Sequence, residues 1–209
     1  MACWSCERPE GEGVLCEKCG AIQPPRARTH FELLGLAARF DLDPGTLEAR
    51  YKELSRKLHP DRFARADARA RLFSLQQSTA VNDAVRTLRN PTRRAEYLLR
   101  LSGIEIDGDR AGNGARTVLP EQALLAEMME LGEAISDARL AGHAADITRM
   151  VQDVRARRER AMAAVERGFA QAADPAPGDD TLQRIGADLV ALRYYDRLLA
   201  DAEGKDHAP

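Results

Sequence analysis

The residues best suited to chemistry are four cysteines, all within the first 19 positions. They form two Cys-x2-Cys pairs with nine residues between them, and the predicted metal ligands are Cys3, Cys6, Cys16 and Cys19. Two such pairs can give four thiolates to one ion, the ligand set of a tetrahedral structural zinc site. Because four thiolates fill the coordination shell, the pattern predicts a structural metal and no catalytic one.

The segment around these cysteines has few apolar side chains. Within residues 1–20 only Trp4, Val14 and Leu15 are bulky and apolar, so metal binding would have to supply the folding energy. Gly20 can adopt a positive φ and turn backbone N–H groups toward the sulfurs. We therefore predict a minimal zinc-ribbon-like hairpin over residues 1–22. Iron or a transient cluster, two disulfides, and unstructured thiols are the alternatives.

A second group with chemical potential is the tripeptide His59-Pro60-Asp61. Pro60 has no N–H and disfavours helix at the residue before it, so a preceding helix must end here. Helical patterns on both sides place the tripeptide in the turn of a helical hairpin, presented to a partner. His59 is the commonest type of general base, but the sequence offers it no convergent nucleophile or oxyanion donors. We predict no catalytic residue and no enzyme activity.

The helices that would position this turn have clear start signals. Thr29 and Glu32 form a capping box before a short helix that ends near Gly35, and Asp43-Pro44 starts the next one. That second helix carries one apolar stripe, Leu47, Tyr51, Leu54 and Leu58. Its other faces carry Arg50, Lys52, Arg56 and Lys57, for which a simple solvated face is the alternative interpretation.

A third helix is predicted over about 67–89, with Leu72, Leu75, Val85 and Leu88 inward. Asn90-Pro91 then opens a short helix that runs through Leu101. Residues 102–117 are rich in Gly and Asp and mark the clearest domain boundary.

Three further helices are predicted, over about 120–140, 143–173 and 180–203, the second broken by residues 174–178. Their short connections favour an antiparallel bundle. The expected core stripes are Leu124, Met128, Leu131 and Ile135 on the first helix and Leu182, Ile185, Leu189 and Leu192 on the third. Leu125 and Met129 lie off the first stripe, and Tyr194 points away from the other, next to Arg193. A wide apolar bundle face, or a scattered surface aromatic, would also explain these three.

Composition agrees with an all-α protein of one or two domains. Only 5% of the 209 residues are aromatic, while Ala, Leu, Arg and Glu are plentiful. The net charge of −2 gives no bulk electrostatic case for nucleic acid or membrane binding. No apolar run could span a membrane, and the N-terminus does not read as a signal or transit peptide. A reducing, cytoplasmic environment is expected.

These motifs resemble the HscB family, the J-type co-chaperones of iron–sulfur cluster assembly. The segments that carry the resemblance are Phe31-Glu32-Leu33-Leu34-Gly35-Leu36, His59-Pro60-Asp61-Arg62-Phe63, Val81-Asn82-Asp83-Ala84 and Arg94-Ala95-Glu96-Tyr97-Leu98-Leu99. The last of them is the segment that separates this family from other J-proteins. The resemblance implies a J-domain over 29–101 and a scaffold-binding three-helix bundle over 118–203. The paired cysteine motifs resemble those of eukaryotic-type members, which would place the protein in the mitochondrial matrix if its source is eukaryotic.

The resemblance also implies two binding surfaces. The surface for a DnaK-class chaperone would comprise His59, Pro60 and Asp61 with Arg50, Lys52, Arg56 and Lys57. The surface for the iron–sulfur scaffold protein would comprise Leu125, Ala126, Met129, Glu130, Glu133, Arg193 and Tyr194. Ala126 departs from the family, whose other members carry a larger apolar residue there.

The implied function is that of an adaptor. It would bind the cluster scaffold, stimulate ATP hydrolysis by the chaperone and promote cluster transfer, binding no nucleotide itself. A general co-chaperone for unfolded clients and a zinc-dependent nucleic-acid-binding protein are the alternatives. A homodimer and the role of the cysteine module are left open.

Overall fold

The computed structural model describes residues 2–9, 13–26, 28–106, 116–171 and 178–203. Within those ranges the elements are, in chain order, α1 (His30–Leu34), α2 (Pro44–Leu58), a 3-10 turn (Pro60–Phe63), α3 (Ala68–Arg89), α4 (Pro91–Leu101), β1 (Ile104–Ile106), β2 (Arg116–Val118), α5 (Gln122–Leu140), α6 (Ala144–Gln171) and α7 (Asp179–Ala202). The all-α class is confirmed. The chain divides into two compact units, Met1–Arg94 and Ala95–Pro209, so the boundary predicted at 102–117 lies inside the second unit.

The predicted helix starts of the first unit are confirmed. Thr29 and Glu32 form both hydrogen bonds of a capping box, and Gly35 ends α1 with φ 64°. The Asp43 carboxylate accepts the backbone N–H of Thr46 at 2.7 Å and caps α2. Each bond satisfies a backbone donor that the first helical turn leaves without a partner. These local signals fix where the helices begin.

The core of the first unit forms where α3 packs against α1, α2 and the 3-10 turn. Its large buried side chains include Phe31, Leu34, Leu58, Val81 and Leu88. The inward positions predicted for Val85 and Leu88 are confirmed, since both are buried.

The inward positions predicted for Leu72 and Leu75 are wrong. Their side chains are 51% and 58% exposed, while the polar Ser74 and Gln77 are buried in their place. Ser74 Oγ donates to the carbonyl of Leu58, and Gln77 Nε2 donates to that of Gln23. Because these hydrogen bonds offset the cost of burying polar groups, α3 turns a partly polar stripe inward.

In the second unit α5, α6 and α7 pack on one another, most extensively α6 on α7. Gly168 lets those two helices approach closely, since a Cβ there would lie 2.6 Å from Ile185 Cγ1. The stripe predicted on the last helix, Leu182, Ile185, Leu189 and Leu192, is confirmed as core. On α5, Met128 and Ile135 are buried, and Leu124 and Leu131 pack partly buried against the same bundle core.

The two ends of the segment predicted as a domain boundary, residues 102–117, pair as a short sheet. β1 and β2 pair in parallel, with Ile104 opposite Arg116 and Ile106 opposite Val118, and both strands contact α7. Val118 packs on Gly186 of α7, where a Cβ would lie 2.7 Å from Val118 Cγ2. Three-residue strands are too short to give a clear alternation pattern in sequence. Residues 107–115 lie outside the described residues, as do residues 174–177 of the helix break predicted at 174–178. Gly178, the last residue of that break, is the N-cap of α7.

No helix in the described ranges is both long enough and apolar enough to cross a membrane.

Candidate functional site

The cysteine segment consists of two similar knuckles, 13 residues apart. In the first, Glu7 N–H donates to the carbonyl of Cys3 at 2.9 Å, and in the second, Gly20 N–H donates to that of Cys16 at 2.8 Å. The bridges Ala2–Pro9 and Leu15–Ile22 repeat the same offset. The turn residue adopts a positive φ in both knuckles, 59° at Glu7 and 73° at Gly20, as predicted for Gly20.

The four sulfurs form a single cluster. Cys3 Sγ lies 3.7 Å from Cys19 Sγ, Cys6 Sγ lies 3.9 Å from Cys16 Sγ, and all four lie within 4.8 Å of one another. A tetrahedral zinc site with Zn–S bonds of about 2.3 Å requires sulfurs about 3.8 Å apart, whereas a disulfide requires about 2.0 Å. The spacing fits metal ligands, and these four residues could hold an ion.

Hydrogen bonds prepare Cys3 for the thiolate form that a metal requires. Burial opposes the charged sulfur, but the backbone N–H groups of Ser5 and Cys6, and then the side chains of Cys16 and Gln23, outweigh it and lower the pKa of Cys3 to about 6. At Cys6 the backbone N–H of Arg8 favours the thiolate, but burial and the three neighbouring thiols outweigh it and raise the pKa of Cys6 to about 11. Gln23 Nε2 lies 3.4 Å from the Cys3 sulfur. Gln23 thus acts on the site from outside the ligand set, in the way that surrounding groups orient and tune metal ligands.

His59, Pro60 and Asp61 form the turn between α2 and α3, as predicted. The backbone N–H of Asp61 donates to His59 Nδ1 at 3.3 Å, so the imidazole caps the 3-10 turn. The Asp61 side chain is 89% exposed, and its carboxylate lies 3.5 Å from His59 Nδ1. The turn therefore presents a carboxylate to solvent on a fixed backbone.

Two serines of α3, which sequence reasoning missed, hold this turn in place. Ser74 Oγ and Ser78 Oγ both donate to the carbonyl of Leu58, at 2.7 and 3.0 Å. The carbonyl belongs to the last turn of α2, where no backbone partner is available. Two serines four residues apart do not by themselves indicate that they bind a carbonyl group. That role depends on which helix end packs against them, and the local sequence does not contain this information.

The four basic residues predicted on α2 are exposed but differ in their partners. Arg50 and Lys57 pair with Glu53 at 3.3 and 2.7 Å, and Lys52 pairs with Glu48 at 3.7 Å. Arg56 donates to the carbonyl of Lys52 and has no carboxylate partner in the part of the chain that the structure describes. Its charge is the least compensated of the four.

The predicted scaffold surface on α5 is mixed apolar and acidic. Met129 is 67% exposed and Leu125 is half-buried, while Ala126, Glu130 and Glu133 are exposed. The two glutamates have no ion-pair partner among the described residues. The exposure of Met129 is unusual for so large an apolar side chain and fits a binding surface better than a bundle core.

On α7, both Arg193 and Tyr194 have contacts within the protein that the sequence did not predict. Tyr194 was predicted to point away from the core, but it is half-buried and packs against the Met128, Val154 and Tyr195 cluster. Its position next to Tyr195 explains why, since the wide apolar face of a bundle helix covers both rings. Arg193 Nε donates to Glu96 Oε1 of α4 at 2.8 Å. Glu96, a member of the Arg94–Leu99 motif, is a partner that sequence reasoning did not find.

The fold and the turn define this protein as a J-domain helical hairpin joined to a helical bundle. Residues 120–203 match the family described as "HSCB C-terminal oligomerisation domain". The crystal structure of the human co-chaperone protein HscB is similar over 98% of both chains, with a TM-score of 0.79 and 30% sequence identity.

Relatives found by sequence point to the same family as the structural similarity. The iron–sulfur cluster co-chaperone protein HscB homolog of Arabidopsis thaliana is 29% identical over 196 residues, which are 93% of this chain and 70% of that protein. The co-chaperone protein HscB homolog of Aliivibrio salmonicida is 43% identical over 108 residues, 52% of this chain and 60% of that protein. The chain belongs to the HscB family.

Proposed function

We propose that this protein is a co-chaperone of iron–sulfur cluster assembly. It binds the scaffold protein on which the cluster forms and stimulates ATP hydrolysis by a DnaK-class chaperone. The observation that carries the proposal is the exposed Asp61 carboxylate, on a turn that α3 fixes through Leu58. A fixed carboxylate beside the basic faces of α2 can meet a partner of complementary charge without first ordering a loop.

The bundle supplies the second half of the proposal. Leu125 and Met129 on α5, with Tyr194 on α7, offer apolar area beside the carboxylates of Glu130 and Glu133. Such an apolar centre with charged residues at its rim is typical of a specific protein interface. We assign this surface to the scaffold protein, and the relatives named as iron–sulfur co-chaperones support that assignment.

The cysteine cluster serves this function as a structural zinc site. Its four sulfurs leave no position for a substrate, so the metal holds the knuckles together and catalyses nothing. The protein itself is then no enzyme and binds no nucleotide, because the hydrolysis takes place on the chaperone. A reducing compartment, which is the cytoplasm or, in a eukaryote, the mitochondrial matrix, would keep these thiols available to the metal.

Affinity capture with the purified chain tests the two surfaces separately. The wild type should capture both the scaffold protein and the chaperone from a native extract. The triple variant Leu125→Ala, Met129→Ala, Tyr194→Ala should lose the scaffold and keep the chaperone, since all three changes lie in the bundle and leave the turn at Asp61 intact. Leu140→Ala, which truncates an 86% exposed leucine at the end of α5, is the matched control and should keep both.

The outcomes separate the alternatives. Capture of the scaffold by the triple variant at wild-type level would refute the assigned surface. Capture of many unrelated unfolded proteins, with no scaffold, would favour a general co-chaperone. Salt-sensitive binding of DNA or RNA would favour a nucleic-acid-binding protein. Sedimentation of the purified chain decides whether the bundle also forms a homodimer, as the name of the matching family suggests.

A further inference from the structure

The metal-binding segment lies directly on α3 of the J-domain hairpin. Trp4 stands between the ligands Cys3 and Cys6, and its indole Nε1 donates to the carbonyl of Ile22 at 2.6 Å. The same ring meets Phe73 of α3 edge-on, with centroids 6.0 Å apart and planes at 79°. The guanidinium of Arg69 lies 5.3 Å from the Trp4 centroid. Both are attractive geometries for aromatic and cation–π contacts.

A second route connects a ligand sulfur to α3 by hydrogen bonds. Gln23 is 1% exposed, and its Nε2 donates to Cys3 Sγ at 3.4 Å and to the carbonyl of Ala21 at 2.7 Å. The backbone carbonyl of Gln23 accepts Nε2 of the buried Gln77 at 3.2 Å. Gln77 on α3 therefore helps to place the residue that contacts the sulfur.

These contacts lie on one stripe of α3. Arg69, Phe73 and Gln77 follow one another at intervals of four residues, which places them on the same helix face. Ser74 and Ser78, which hold the carbonyl of Leu58 before the tripeptide, are each the next residue along. The same two turns of α3 thus support the metal segment on one side and the chaperone-facing turn on the other.

We propose that α3 completes the metal site, with Phe73 and Gln77 as positioning residues, so that metal affinity and the stability of α3 are coupled. The inference rests on the proposed metal binding and adds a partner element to it. Because residues 1–20 are poor in apolar side chains, the segment loses its fold and its contacts with α3 when the metal is removed. Thermodynamic reciprocity then requires that weakening those contacts lowers metal affinity, although no ligand changes.

Zinc affinity of the full chain, measured by competition with a chromophoric chelator, tests the coupling. Phe73→Ala should weaken zinc binding by about tenfold, a factor typical of coupled sites. Phe73→Tyr, which keeps an aromatic ring, should retain the wild-type affinity. Arg69→Ala, at an exposed position where misfolding is not expected, should weaken binding by about two- to threefold. Leu75→Ala removes an exposed side chain of the same helix and should leave the affinity unchanged.

Two further measurements test how zinc removal affects α3 and its contact with Trp4. Trp4 is the single tryptophan, so its emission should shift to the red when chelation releases it from Phe73. Amide hydrogen exchange in residues 74–81 should accelerate on zinc removal in the wild type, and much less in Phe73→Ala. If all variants bind zinc with equal affinity, and amide hydrogen exchange in residues 74–81 is the same with and without zinc, the coupling is overturned while the metal site stands. A wild type that binds no zinc under reducing conditions would overturn the metal site as well.

Discussion

At the scale of single residues, the two ends of the tripeptide have different roles. His59 acts within the protein, because its Nδ1 accepts the backbone N–H of Asp61 and caps the turn. Asp61 acts outward, since its carboxylate is almost fully exposed. The sequence predicted that the tripeptide faces a partner, because Pro60 ends the helix. It could not separate the two roles, which depend on the path of the backbone after the proline.

The basic residues of α2 should contribute unequally to chaperone binding. Arg56→Ala should weaken binding about two- to tenfold at low salt and reduce its dependence on salt, because this charge has no carboxylate partner in the described chain. Lys52→Ala should have the smaller effect, since Glu48 already compensates Lys52. Titration of the ATP-bound chaperone at two salt concentrations measures both. A larger loss for Lys52→Ala would contradict this ranking.

At the scale of elements, caps were the most reliable signals and apolar stripes less so. Thr29, Asp43 and Asn90 each start the predicted helix with a side-chain hydrogen bond, because capping depends only on residues three positions away. The inward face of α3 was misjudged because Ser74 and Gln77 are buried by distant partners, Leu58 and Gln23. No local pattern contains that information, and the same holds for the short parallel strands.

The Asp43 cap makes α2 sensitive to acid. Hydrogen bonds from the Thr46 hydroxyl, and then from its backbone N–H, hold the pKa of Asp43 below its ordinary value of about 3.9. A depressed pKa stabilises the folded state above the unfolded-state value, and that stabilisation is lost as the pH falls through the folded-state pKa. Asp43→Asn should therefore melt at a lower temperature than the wild type at pH 7, and the difference should shrink below about pH 4.

Thermal unfolding by circular dichroism at pH 7 and pH 3 measures this effect. Asp41→Asn is the control, because Asp41 is fully exposed in a loose pair with Arg39 at 3.5 Å, and such pairs contribute little to stability. A destabilisation by Asp43→Asn that is the same at both pH values would assign the cap to hydrogen bonding alone.

At the scale of the whole molecule, the small net charge does not reveal how unevenly the charges are distributed along the chain. The net charge of −2 gives no bulk electrostatic case for nucleic acid or membrane binding, yet residues 50–71 contain eight basic and only three acidic side chains. They cover the second half of α2, the turn and the start of α3, the region assigned to the chaperone. The surface proposed for the scaffold protein lies in the other compact unit, among the acidic residues of α5. The two proposed partners are thus assigned to separate units, to a basic surface on one and an acidic surface on the other.

The rate of single-turnover ATP hydrolysis by a DnaK-class chaperone tests the central claim most directly. The wild type should accelerate hydrolysis, and Asp61→Asn should abolish the acceleration while keeping the wild-type melting temperature, because within the described ranges the lost carboxylate contacts only His59. The triple variant of Leu125, Met129 and Tyr194 should still stimulate the chaperone when no scaffold is present. Undiminished stimulation by a folded Asp61→Asn variant would contradict the assignment of this turn as the chaperone trigger.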